Sequence, residues 1–118
     1  MSIFNKVTDH FKKSDFSVSP GKKVKTIKKE FKEAFGLSLR IYKGKQFAEE
    51  SLTINQLNKK TSAEIKTAAV EDLVIRASFA VGKVEKLFKT TYGLDVQIAD
   101  ADDKKLINDK ITLGDARR

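Results

Sequence analysis

One apolar pattern occurs twice in this chain. Val24, Ile27, Phe31, Phe35, Gly36, Leu37, Leu39 and Ile41 recur 57 positions later as Val81, Val84, Phe88, Tyr92, Gly93, Leu94, Val96 and Ile98. Within each copy the first four residues fall at spacings of 0, 3, 7 and 11, which places them on one face of a helix. Gly followed by Leu then ends the helix as a left-handed cap, with the leucine folding back on the last turn. Beyond the cap, Leu37, Leu39 and Ile41 alternate with Ser38, Arg40 and Tyr42, and Leu94, Val96 and Ile98 alternate with Asp95, Gln97 and Ala99. That period of two predicts a half-buried strand.

The correspondence extends on both sides. Phe16 and Val18 match Leu73 and Ile75, so a strand enters each helix, with the single proline, Pro20, at the exit of the first. After the central strands, YKGKQFAEES and ADADDKKLIND each read as a turn and a short return strand. TINQL and TLGDA then place Thr53 and Thr112 three residues before Gln56 and Asp115, the spacing of a helix N-cap. The predicted unit is strand, helix, strand, short strand, helical turn.

One copy cannot bury both its helix face and its strand face, whereas two copies can do so around a pseudo-twofold axis. The expected fold is therefore α+β: a duplicated unit forming one mixed sheet with two main helices on one face, plus an N-terminal helix. At 118 residues a single domain suffices. Residues 2–13 are expected as the N-terminal helix, with Ile3, Phe4, Val7 and Phe11 in one sector. Residues 15–57 are repeat 1, residues 58–70 a polar connector, and residues 72–117 repeat 2.

The runs FGLSLRIYKG with SLTINQL, and YGLDVQIADADD with ITLGDAR, resemble a family of small bacterial proteins that carries the same tandem pattern and no assigned activity. The resemblance spans about residues 20–117 and implies the fold without implying a site. The strand, turn and TLGDA tails are also similar to the ends of β-grasp domains.

Charge separates the halves that hydrophobicity makes alike. Residues 1–60 hold fourteen Lys and Arg against six Asp and Glu, and residues 61–118 hold ten of each, so the net +8 belongs to the first half. Lys22, Lys25, Lys28, Lys29 and Lys32 form a stripe beside the apolar face of the first helix. Arg40, Tyr42, Lys43 and Lys45 extend the same positive character along the following strand and turn. The equivalents of the stripe in repeat 2 are Phe79, Gly82, Glu85, Lys86 and Lys89. Two readings stay open. Lysines on a wet helix face form helix well and aid solubility. Alternatively the stripe, with Arg40 and Tyr42 on the outer sheet face, contacts phosphate or an acidic protein surface.

Catalytic chemistry finds little to work with. His10 is the only histidine and has no partners that would make a triad. Asp100, Asp102 and Asp103 lack the spacing and closing glutamate of a calcium loop, and read as a solvated turn. Gly36, Gly44, Gly82 and Gly93 form neither GxxxxGK nor GxGxxG and read as caps and turns. With no cysteine, thiolate catalysis, disulfides and Cys-ligated metals are excluded. No enzyme, cofactor or metal site is expected. MSIFNKVTDH lacks the apolar run of a signal peptide and no stretch is long enough to span a membrane, so a cytoplasmic protein is expected. Lys6, Lys12 and Lys13 opposite the N-terminal apolar stripe leave a membrane-surface anchor as a weaker third reading. The function expected is a non-catalytic binding module that holds an unknown protein partner, with nucleic acid or another polyanion as the alternative.

Overall fold

The computed structural model describes residues 15–59 and 72–116. The expected N-terminal helix at 2–13, with His10, lies outside the described residues, as do residues 60–70 of the connector. The elements run β1 (Asp15–Val18), α1 (Val24–Phe35), β2 (Ser38–Lys43), β3 (Gln46–Phe47), α2 (Ile54–Lys59), β4 (Leu73–Arg76), α3 (Val81–Tyr92), β5 (Asp95–Ala99) and α4 (Leu113–Ala116). Helix α2 takes in Asn58 and Lys59, which the sequence assigned to the connector.

Both long helices start without a side-chain cap. The first N–H groups of a helix have no partner within it and need one elsewhere. Here the returning chain supplies it. In α1 the N–H groups of Val24 and Lys25 donate to the carbonyls of Leu52 and Glu50 at 2.8 and 3.1 Å. In α3 Val81 and Gly82 donate to Ile111 and Asp109, both at 2.9 Å. The C-terminal ends follow the sequence expectation: Gly36 and Gly93 have φ of 71° and 72°, and their N–H groups donate to the carbonyls of Lys32 and Lys89 at 2.7 and 2.9 Å. A side chain would strain this left-handed conformation. Leu37 and Leu94 fold inward and are buried.

The strands correct one expectation. They form two wholly antiparallel sheets, β1–β4 and β3–β2–β5, in place of one mixed sheet. The cause lies in which strands find each other. Each long strand of the first half pairs with its own counterpart in the second, and two like strands laid antiparallel can keep their apolar residues on one side. Thus Phe16 faces Ile75 and Val18 faces Leu73, while Leu39 faces Ile98 and Ile41 faces Val96. A one-residue slip would turn either set toward solvent.

These inward residues join the apolar faces of α1 and α3 in one core cluster. Ile27, Phe31, Phe35, Val84, Phe88 and Tyr92 are completely buried. The first half adds an aromatic cluster in which Phe31 and Phe35 meet edge-on at 5.0 Å and Phe16 meets Phe31 at 5.8 Å. The second half has Phe88 and Tyr92 tilted at 6.1 Å, and the buried Tyr92 hydroxyl donates to the Val18 carbonyl at 3.2 Å.

The return segments differ. Gln46 and Phe47 pair with Lys43 and Tyr42 as an edge strand, whereas the second return segment makes a single bridge, Leu106 to Ala99. Its turn is longer and passes through Asp103 with φ of 60°. Thr53 and Gln56 form a reciprocal capping box, the N–H of Gln56 donating to Thr53 Oγ1 at 3.1 Å and that of Thr53 to Gln56 Oε1 at 2.9 Å. Thr112 Oγ1 accepts from the Asp115 N–H at 3.1 Å.

Candidate functional site

The buried face of α1 fixes where its lysines point. With Val24, Ile27, Phe31 and Phe35 in the core, Lys25, Lys29 and Lys32 are exposed and Lys28 is half-buried at the flank. The stripe is real as geometry, but much of its charge is already engaged. Lys22 Nζ donates to Glu30 Oε1 at 2.6 Å, and Lys28 Nζ to Glu50 Oε2 at 2.7 Å. Lys32 Nζ donates to the carbonyl of Ala101 at 2.6 Å. Among the described residues, Lys25 and Lys29 make no side-chain ion pair or hydrogen bond.

Arg40 and Tyr42 do occupy the face of β2 opposite the core, and neither side chain stands alone. Arg40 Nε donates to Asp103 Oδ1 at 2.7 Å and its Nη2 to the Asp103 carbonyl at 3.1 Å. The bond to that carboxylate raises the guanidinium pKa still further. The Tyr42 hydroxyl donates to Gln97 Oε1 at 2.8 Å. Lys43 turns away toward α2, where Nζ donates to the Leu57 carbonyl at 2.9 Å, and partial burial lowers its pKa.

The turn at residues 100–103 was not legible as part of this site. It sits against the basic half, with the Ala101 carbonyl accepting from both Lys32 and Ser38 Oγ, the latter at 3.2 Å, and Asp103 held by Arg40. Asp100 is engaged within the turn, accepting N–H bonds from Lys104 and Lys105, and the Lys104 bond chiefly lowers its pKa. The opposite charges of the two segments were the available signal, but their separation in sequence hid the contact. Between α1, the start of β2 and this turn lies a groove of about 340 Å³ lined by Lys28, Lys29, Lys32 and Glu33 of the helix, Ser38 and Leu39 of the strand, and Asp103.

A second feature was missed altogether. Phe47, on the edge strand, is 64% exposed, and its ring stacks on Tyr42 at 4.9 Å with an interplanar angle of 18°. Lys43, Gln46, Phe47, Glu49 and Leu57 border a smaller hollow of about 150 Å³ beside it. Period-two reading gave no face for a strand of two residues, so the exposed ring had no sequence signature.

Among the described residues no three His, Cys, Asp or Glu side chains converge to hold a metal, and no helix is long and apolar enough to cross a membrane. Glu85 on α3 is the one strongly perturbed carboxyl among them, raised to about 7 by burial and by Asp109 beside it. Compared with known proteins, the chain matches no family model and no curated sequence.

Proposed function

We propose that this chain is a non-catalytic binding module that recognises another protein, built on a duplicated unit with a pseudo-twofold axis. Two registers support the duplication. Ser17 faces Val74 and Arg40 faces Gln97, and in both pairs the partners are 57 positions apart, the offset of the sequence repeat. An axis relating the halves must pass through pairs of equivalent residues, and each cross-half ladder contains one.

The observation that carries the recognition reading is the Tyr42–Phe47 stack. A phenylalanine exposed on a sheet edge invites association, and stacking on Tyr42 holds it in place before a partner arrives. Rigid aromatics of this kind anchor protein interfaces at small entropic cost. The direct test is quantitative affinity capture with the parent and Phe47→Arg, their urea midpoints being compared first. Proteins retained by the parent and lost with the variant support the reading; equal recovery from both defeats it.

A polyanion reading is favoured by Lys25 and Lys29, exposed and without side-chain partners among the described residues. Binding to heparin or DNA with a log–log salt slope that falls by roughly 0.7–0.9 per lysine removed would favour it over protein recognition.

A further inference from the structure

We propose that the groove between α1 and the turn at residues 100–103 is the seat for an acidic segment of the partner protein, one that pairs carboxylates with apolar side chains. The inference rests on the protein-recognition reading and names the chemistry of the partner.

The charge inventory comes first. Lys28 is balanced by Glu50 and Arg40 by Asp103, at 2.7 Å in both cases. Lys25, Lys29 and Lys32 remain, opposed locally by Glu33. Among the described residues Lys32 meets only the neutral Ala101 carbonyl, which leaves its charge unbalanced and two of its three donors unused there. Spaced by four and then three residues, the three ammonium groups run along one side of α1 over roughly 10 Å. Lys29 and Lys32 line the groove together with Lys28, and their aliphatic stems beside the buried Leu39 supply its apolar surface.

The protein already uses this geometry internally. Its own acidic turn delivers a carbonyl to Lys32 and a carboxylate to Arg40. A partner's acidic loop laid alongside would meet Lys25 and Lys29 in the same manner. Nucleic acid fits less well. A phosphate strand is held by cations in long succession, whereas this row is three lysines long, and neither an aromatic ring nor an arginine lines the groove to stack on bases. A free anion fits less well again, because the first N–H groups of α1 are occupied by the Leu52 and Glu50 carbonyls.

The test uses the full chain and a short fluorescein-labelled peptide of alternating Glu and Leu, read by fluorescence polarisation, with amide shifts mapped by NMR. The parent should bind it, with shifts centred on Lys29, Lys32 and Ser38. Lys25→Glu/Lys29→Glu breaks no ion pair or side-chain hydrogen bond among the described residues and should weaken binding about tenfold or more through charge reversal. Lys86→Glu/Lys89→Glu, on the corresponding helix of the second half, should leave it unchanged. Shifts centred elsewhere, equal affinity for the Lys25→Glu/Lys29→Glu variant, or tighter Lys29-dependent binding of a single-stranded oligonucleotide would overturn the proposal. Failure here with Phe47-dependent protein capture intact would remove the acidic-partner inference and leave the recognition reading standing.

Discussion

The N-terminal flanks of α1 and α3 share a backbone and differ in charge. In both, the second helical N–H donates to a carbonyl of the returning chain, Lys25 to Glu50 and Gly82 to Asp109. One turn further along, the first flank closes with the Lys28–Glu50 ion pair, whereas the second sets Glu85 against Asp109, two acids that share a hydrogen bond and cannot both ionise without cost. The backbone contact satisfies donors the helix itself cannot, so it is kept in both halves. Partly exposed side chains beside it are under no such demand, and here they differ. Gly82 shows the reverse coupling: a Cβ there would meet Asp109 Cβ at 3.2 Å, while the first flank carries Lys25 at the matching position.

Removing the two anchors tests this comparison most severely. Phe31→Ala and Phe88→Ala should each cost about 3–5 kcal/mol in urea unfolding. Phe31 should lie at the upper end because it also touches the rings of Phe16 and Phe35. If Phe31→Ala is the milder of the two, the aromatic cluster does not distinguish the halves. Gly36→Val and Gly93→Val should each cost about 1–3 kcal/mol, since both force a β-branched residue to positive φ. Costs that differ widely would show the two helix ends to be unlike despite matching angles.

Tyr92→Phe comes next, at about 1 kcal/mol for a buried hydrogen bond to the Val18 carbonyl. Its first-half counterpart, Phe35, has no hydroxyl, so an unchanged melting midpoint would erase that difference between the halves. The smallest effect belongs to the acid pair. Glu85 has a folded-state pKa of about 7 against the ordinary 4.5, so between these values the folded chain holds a proton that the unfolded chain releases. The stability this group contributes is therefore complete below about pH 4.5 and lost as pH rises through about 7. Glu85→Gln should flatten that part of the stability profile. Glu85→Lys, which copies the first flank, should stabilise at pH 8 by up to about 1 kcal/mol, the limit expected for a pair this exposed. A destabilised Glu85→Lys would mean that the second flank cannot accommodate the first flank's ion pair.

What the sequence revealed was what the backbone demands. Gly36 and Gly93 needed left-handed φ, Phe31 and Phe88 needed burial, and Thr53 with Gln56 spelled a capping box, each a local requirement with a fixed spacing. Strand partnership was less legible, because apolar alternation identifies a face without saying which strand lies alongside; hence two antiparallel sheets where one mixed sheet was expected. The candidate site suffered most. Its lysine stripe was visible, but the Arg40–Asp103 and Lys32–Ala101 contacts join residues 63 and 69 positions apart, and no periodicity reports such a pairing. The exposure of Phe47 follows from its place on an edge strand, which only the paired chain defines.

The ladders between halves also set the order in which this protein can be made. On a ribosome, β1 and β2 emerge before β4 and β5 exist, and of the described ladders only the two-residue pairing with β3 is open to the first half. Until the second half arrives, Phe16, Leu39 and Ile41 lack the strands opposite them, and their burial waits on contacts between distant parts of the chain. Such topologies fold slowly and leave the growing chain sticky. A polypeptide halted between its halves should therefore recruit chaperones, and the separately produced halves should each remain incompletely folded until mixed.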